Sequence, residues 1–570
     1  MKKVSYFVSL VLAVALLSSC GGLNKMLKEA GNVKYQVVPE VLEAHSGNVA
    51  VTITGSFPES YFNKKATLEA IPVLVYEGGE TKFEAVAVQG EDVEANNEVI
   101  KFTGDKFTYS ATVPFKEEMK VSELILKTSA SMSGKSVVMP DVKLADGVVA
   151  TSTLTKKYGQ PILIGNKFKR IIPEAKEADI HYVINRANVR SSELKAEDID
   201  VLKAYIKEAG EKVNYKFTGS EISAYASPDG PLDLNEKLSV KRAETAGSFF
   251  NRELKKAKVE EAGKEGFVKT TTTAEDWDGF QELMQKSDVQ DKELILRVLS
   301  MHSDPVVREK EIKNMSEAFE VLKNDILPKL RRSKLIVNVN VIGFSDEEIV
   351  NYIETNPDTL GLEEMLYAVS LTEDAEKQLK YYEMAAEKAP KCFRAVNGIG
   401  YTLMKMGKIE ESEKAFTKAQ ELKDGDYVKN NLGFVALVQG DLEKAQGYFT
   451  SMEKLTTESN FGLGVINIIN GNYSDAVNYF GTTPSFNAAL AKLLNGNTTG
   501  AKNTLEAIDH ECASKDYLLA VVGARMDNEQ DVFNHLKAAV AADNEMKALA
   551  KTDMEFGKYF ENASFKSIVE

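Results

Sequence analysis

The chain is 570 residues long, room for about three domains with cores of their own. Its 70 Lys and Arg against 85 Asp and Glu leave a net charge of −15. That is the wrong sign for a protein that grips nucleic acid or an anionic bilayer surface.

The first residues read Lys2-Lys3, an apolar run from Val4 to Leu17, then Ser18-Ser19-Cys20. A short basic segment before an apolar stretch of this length predicts a secretory signal, too short for a comfortable membrane span. Leu17-Ser18-Ser19-Cys20 resembles a bacterial lipobox. The resemblance implies diacylglyceryl transfer to Cys20, cleavage just before it, and anchorage of the mature N-terminus by acyl chains. Residues 20–32 then read as a lipidated tether beginning at Gly21-Gly22. The stretch before the first clear strand, if extended at ~3.3 Å per residue, could reach on the order of 90 Å. No other stretch is long and apolar enough to span a bilayer, so the protein is expected to be anchored and not embedded. Gly21 stands where, in enteric bacteria, an aspartate marks inner-membrane retention. Gly-Gly-Leu-Asn-Lys also lacks the acidic residues that follow the lipidated Cys of surface-exported lipoproteins in the Bacteroidota. The expected location is the periplasmic face of the outer membrane.

Residues 33–160 carry a β pattern. Val49–Thr54, Ala70–Tyr76, Phe83–Val88, Phe107–Val113 and Leu124–Met132 are β-branched and aromatic runs separated by turns bearing Gly, Asp or Asn. This spacing predicts an antiparallel sandwich of the immunoglobulin type.

Residues 170–348 alternate. A strand is predicted over Ile180–Arg186, and a helix follows with Ile199, Leu202 and Ile206 on its apolar face. A strand at Ile222–Tyr225 ends in Ala226-Ser-Pro-Asp-Gly230, a turn by composition. A long helix runs from Leu234 to Leu254, then a strand from Phe267 to Thr273, some forty helical residues, and a last strand from Lys334 to Val341. The order implies helices on one face of a mixed sheet.

Here Tyr225-Ala-Ser-Pro-Asp-Gly-Pro-Leu-Asp-Leu-Asn235-Glu-Lys-Leu238-Ser239-Val-Lys-Arg242-Ala243 resembles the signature of OmpA-like, peptidoglycan-binding domains. The Ser-Pro-Asp-Gly turn and the helical insertion after Glu275-Asp276-Trp277 resemble the variety common in Bacteroidota. The resemblance implies a pocket for a diaminopimelate-type stem end. In it Arg242 would clamp the carboxylate through two charge-assisted hydrogen bonds, and Asn235 would hold the loop or touch ligand. The family's ligand-contacting aspartate falls on Ser227, which makes no salt bridge; Asp229 is the candidate substitute. The alternative is a domain that keeps Arg242 for packing and uses the fold for protein contact.

Residues 349–570 are repetitive. Gly400 and Gly407 recur as Gly433 and Gly440, then Gly464 and Gly471, at intervals of 33 and 31. Each second glycine precedes a helix with an aromatic: Phe416, Phe449, Phe480. Lys377–Pro390 closes an earlier helix pair, and Gly496 to Leu505 reads as a shortened later one. The pattern resembles tetratricopeptide repeats, although Ile409 stands where an aromatic is usual. The resemblance implies an all-α solenoid with a groove for peptides or partner proteins.

Catalytic constellations are sparse. His45, His181, His302, His510 and His535 fall at no metal-ligand spacing. No phosphate-binding or nucleophile-elbow motif occurs. Glu275 with Asp276 and Glu347 with Glu348 read as solvated turn or helix-start charges, and Lys329–Lys334 as a solvated basic edge. Cys392 and Cys512 read as buried, unpaired thiols. No catalysis, cofactor or metal is expected. Two functions remain. One is an adaptor that links outer membrane to peptidoglycan and recruits proteins through its repeats. The other is a scaffold subunit of an outer-membrane assembly or secretion machine whose OmpA-like domain has lost the wall ligand; its plan resembles the repeat lipoprotein of the β-barrel assembly machinery.

Overall fold

The computed structural model describes residues 21–289, 292–314 and 316–570. The signal segment and Cys20 lie outside the described residues. Gly21–Lys28 is a helix (α1), not an extended tether. Leu23 and Met26, three apart on one face, are buried with Val33, Phe57, Phe62 and Leu68. Lys25 Nζ donates to the Ser60 carbonyl at 2.7 Å. Burying two such side chains favours the docked helix by roughly 1.5–3 kcal/mol each, more than a solvated tether offers.

Two units follow from the chain's contacts. One joins the residues up to Ile164 to Ala389–Glu570; the other, Gly165–Lys388, is inserted between them. The sandwich half of the first unit has strands at Lys34–Val38 (β1), Leu42–His45 (β2), Asn48–Phe57 (β3), Thr67–Tyr76 (β4), Gly79–Lys82 (β5) and Val86–Gly90 (β6). It continues with Glu98–Ile100 (β7), Asp105–Pro114 (β8), Ser122–Met132 (β9), Lys135–Val138 (β10), Val142–Asp146 (β11) and Val148–Val149 (β12). One sheet runs β1-β3-β2-β12 with β8 along β3; the other runs β10-β9-β4-β6-β7, with β11 on β9 and β5 on β4. In β3 alternate residues Val49, Val51 and Ile53 point inward, as the period of two requires, and meet Leu74 and Leu124 of the facing sheet.

The inserted unit has a four-stranded sheet of Ile171–His181 (β13), Tyr215–Tyr225 (β14), Val268–Thr273 (β15) and Arg332–Ile342 (β16) in the order β13-β16-β14-β15. Only the β14–β15 pair is parallel. Helices Glu197–Glu211 (α2) and Leu232–Lys256 (α3) cover it with Ile199, Leu202, Ile206, Phe249 and Phe250. The strand predicted over Ile180–Arg186 ends instead at His181 and begins at Ile171. Its outer residues 171–177 are exposed, so they carry no apolar alternation. Between β15 and β16 come Trp277–Lys286 (α4), Lys292–Met301 (α5), Pro305–Asn314 (α6), Ser316–Val321 (α7) and Leu327–Leu330 (α8). They enclose a separate core that includes Phe280, Met284 and Leu322. Asp346–Thr355 (α9), Leu362–Ala368 (α10) and Ala375–Lys388 (α11) fall in this unit as well. Arg170 pairs with Asp346, and Phe168 stacks on Tyr367 with ring centroids 4.4 Å apart.

The remainder of the first unit is all helix. Pairs form from Phe393–Lys405 (α12) with Ile409–Leu422 (α13), Asp426–Gln439 (α14) with Leu442–Thr450 (α15), and Thr457–Ile469 (α16) with Tyr473–Phe480 (α17). Phe486–Leu494 (α18) with Thr498–Glu506 (α19) and Ala513–Arg525 (α20) with Glu529–Ala542 (α21) continue the series. Glu545–Thr552 (α22) and Ala563–Val569 (α23) end it. The repeating glycines have a steric cause. A Cβ on Gly400, Gly433 or Gly464 would lie 2.6 Å from Phe416, 2.6 Å from Phe449 and 2.7 Å from Phe480 respectively. Only glycine lets the two helices of a pair close on that ring. Cys392 and Cys512 are unpaired, and both are half-buried where buried positions were expected.

Candidate functional site

In the inserted unit the signature residues gather at the end of β14. The Ser227 hydroxyl donates to Asp229, and Asn235 at the start of α3 ties the turn by donating to the carbonyls of Ser227 and Gly230 at 3.1 and 3.0 Å. Asp229 faces Arg331, Oδ2 to Nη2 at 3.0 Å, while Arg331 Nε donates to Ser227 Oγ at 3.1 Å. Arg242 is 0% exposed. Its Nε donates to the Arg186 carbonyl at 3.0 Å and Nη1 to that of Tyr225 at 2.8 Å. Nη2 reaches the Val183 carbonyl at 3.5 Å, and the guanidinium lies 4.9 Å over the Tyr182 ring. Burial pushes Arg242 down to about 10, since the charged form loses water that carbonyls only partly replace. The structure therefore places the four predicted residues together, but Asp229 pairs with Arg331 and the Arg242 fork is taken up by main chain.

Three residues expected to be solvated, Asp276, Arg331 and Arg332, are not. Arg332 Nη1 meets Asp276 Oδ2 at 3.0 Å and lies 4.7 Å over Tyr225. Asp276 is buried and caps α4, Oδ1 accepting from the Gly279 amide at 2.9 Å. Desolvation holds Asp276 and Asp179 above the ordinary carboxylate range. The basic run Lys329–Lys334 thus aims two arginines inward, a fact hidden because a strand start and a solvated edge read alike.

A second arrangement, in the first unit, was not foreseen. Residues 155–164 cross the face made by the first helix of each pair. Asn487 on α18 takes both main-chain groups of Lys156, accepting its N–H at 3.0 Å and donating to its carbonyl at 2.8 Å. Asn431 on α14 does the same for Ile162, at 2.6 and 3.0 Å, and Asn397 on α12 adds a donor to that carbonyl at 3.1 Å. Asn430 donates to the Gln160 carbonyl at 3.2 Å. All four asparagines are fully buried. Between the clamps Tyr158 packs on Phe461, ring centroids 5.0 Å apart. Asn397, Asn430 and Phe461 each stand three residues before a repeating glycine, so successive helices present one such residue to the crossing segment. That register was the signal available in the sequence. Among the described residues no cluster of His, Cys, Asp or Glu is placed to hold a metal, and no helix is long and apolar enough to cross a membrane.

No protein-family model matches the chain, and no curated protein matches it. Solved structures it is similar to include YrrB, a tetratricopeptide-repeat protein with an unusual peptide-binding site, at 18% identity over 36% of this chain and 99% of that one, TM-score 0.22. The Cut9–Hcn1 hetero-tetramer of APC/C is similar at 14% identity over 60% of this chain and 77% of that one, TM-score 0.32. A tetratricopeptide-repeat protein from Parabacteroides merdae is similar at 13% identity over 49% of this chain and 99% of that one, TM-score 0.27.

Proposed function

We propose that the protein is a non-enzymatic scaffold of the bacterial envelope, lipid-anchored through Cys20, that brings partner proteins together at the outer membrane. The observation that carries this reading is the state of Arg242. A carboxylate clamp needs free guanidinium donors, whereas here the fork holds the carbonyls of Arg186 and Tyr225 and nears that of Val183. The acidic partner that would meet a ligand ammonium, Asp229, is spent on Arg331. The α/β unit therefore reads as an OmpA-like frame with its pocket filled from within. Strand order, Asn235 and the turn at Gly230 support the frame; the chemistry left over does not support a stem-peptide site. The test is cosedimentation of the whole chain with purified cell-wall sacculi. The chain is expected to stay in the supernatant. Pelleting that Asp229→Asn abolishes would restore the wall-linking adaptor, with Arg331 taking the clamp's place. Metabolic labelling with an alkynyl fatty acid, compared between Cys20 and Cys20→Ser chains, tests the anchor; label on both would discard it.

A further inference from the structure

The segment 155–164 and the asparagines beneath it do not fit each other as a permanent core would. Its side chains hold it only in part: Lys156 lies 4.5 Å over the Phe486 ring and Tyr158 packs on Phe461, yet Tyr158 is 42% and Leu163 40% exposed. The rest of the hold comes from amide-to-main-chain clamps, which require an extended backbone with an N–H at two positions and do not read side chains. The fit is also incomplete. Asn430 Oδ1 is buried with no hydrogen-bond donor among the described residues, and residue 161, a proline, has no N–H to give. A buried acceptor left empty is a standing cost to this occupant. A cavity of about 650 Å³ flanks the segment at Lys156, Tyr158 and Gln160 and extends to Phe480, Phe486 and Lys515. It leaves room for bulk that Tyr158 does not supply.

We propose that residues 155–164 are a displaceable strap that closes the repeat face in cis, and that the occupant admitted in its place is an extended segment of a partner protein with an aromatic residue followed by glycine. The aromatic would take the place of Tyr158 on Phe461. Glycine fits best opposite Met404, because a Cβ on Gly159 would lie 2.8 Å from the sulfur and oblige that side chain to shift. The residues at the Lys156 and Ile162 positions must not be proline, because each donates an N–H to an asparagine. The strap thus acts as an internal competitor: a partner binds only when it outbids an occupant whose local concentration is set by the chain itself, commonly in the millimolar range. This rests on the scaffold reading, which it deepens, but it is tested without any partner, so either can fail alone.

The test uses the whole chain and a fluorescein-labelled peptide, TKKYGQPILI, with the sequence of residues 155–164. Lys156→Pro with Ile162→Pro removes both clamped N–H groups and leaves the repeat face untouched. By fluorescence anisotropy this double variant is expected to bind the peptide at least tenfold more tightly than the unaltered chain. Adding Asn431→Leu and Asn487→Leu should abolish that gain. Equal affinity for variant and unaltered chain overturns the proposal, as does binding that survives loss of the asparagines. A double-proline chain that fails to fold overturns it too, because the strap would then be a required part of the core. Hydrogen exchange on the unaltered chain gives an independent reading. The amides of Lys156 and Ile162 should exchange well before those of α14 and α18; exchange in step with those helices would mean that the strap never leaves.

Discussion

Asp276 does two things with one carboxylate, closing the first turn of α4 through Gly279 and facing Arg332. Asp276→Ala removes the cap and leaves the half-buried Arg332 guanidinium with only the more distant Asp179, a loss of about 2 kcal/mol read as a lower urea midpoint. Asp276→Asn, which can still cap, should lose less. Asp179 is the opposite case. Its Oδ1 is buried with no hydrogen-bond partner among the described residues, and Arg332 Nε stands 3.8 Å from its other oxygen. Desolvation raises its pKa in the fold, so the fold favours the protonated acid. Its contribution to stability is then present below the unfolded carboxylate pKa and is lost as pH rises through the higher folded one. An Asp179→Asn chain should accordingly be more stable than the unaltered chain at pH 7, with the difference vanishing at pH 3 in paired urea titrations. These carboxylates were not legible beforehand, because a sequence gives charge without depth. Ser227 was legible, but not that Arg331, over a hundred residues away, would collect both it and Asp229.

At the scale of elements, the repeat period was read correctly because it has a single steric cause. Gly433 admits the Phe449 ring, and a methyl group there has nowhere to go. Gly433→Ala should cost about 2 kcal/mol by overpacking and lower the melting temperature measured by circular dichroism. A paired Gly433→Ala, Phe449→Leu chain should recover part of that loss. The strands at the centre of each sheet were found from alternation, as in β3, whereas β13 was misplaced because an edge strand exposed on both faces shows no period. Helix α1 was missed for a different reason: eight residues with two buried side chains look like a linker until the surface they cover is known. Leu23→Asp should release α1 and make Lys25–Lys28 sensitive to trypsin at low protease concentration. The strap escaped notice because its bonds are to main chain, which carries no sequence signature on the side of the segment being held.

At the scale of the whole molecule, the first unit is completed by groups that lie at opposite ends of the chain. His45 meets Tyr473, Ser46 donates to the carbonyl of Asn470, and Thr151 donates to Glu555, which in turn accepts a forked pair from Arg525. These partners are separated by 428, 424 and 404 positions. The inserted unit, by contrast, closes within Gly165–Lys388. A chain that emerges from its N-terminus can finish the inserted unit while the repeats are still unmade, but cannot close the first unit until nearly the last helix has appeared. During synthesis the strap is therefore delivered bare and waits for its asparagines. In pulse proteolysis of the refolding chain, fragments spanning 165–388 should gain protection before any fragment of the repeats. An organism that makes this protein must keep the sandwich face that meets the repeats soluble for the time it takes to produce several hundred further residues, so the demand on holding chaperones is written into the order of its segments.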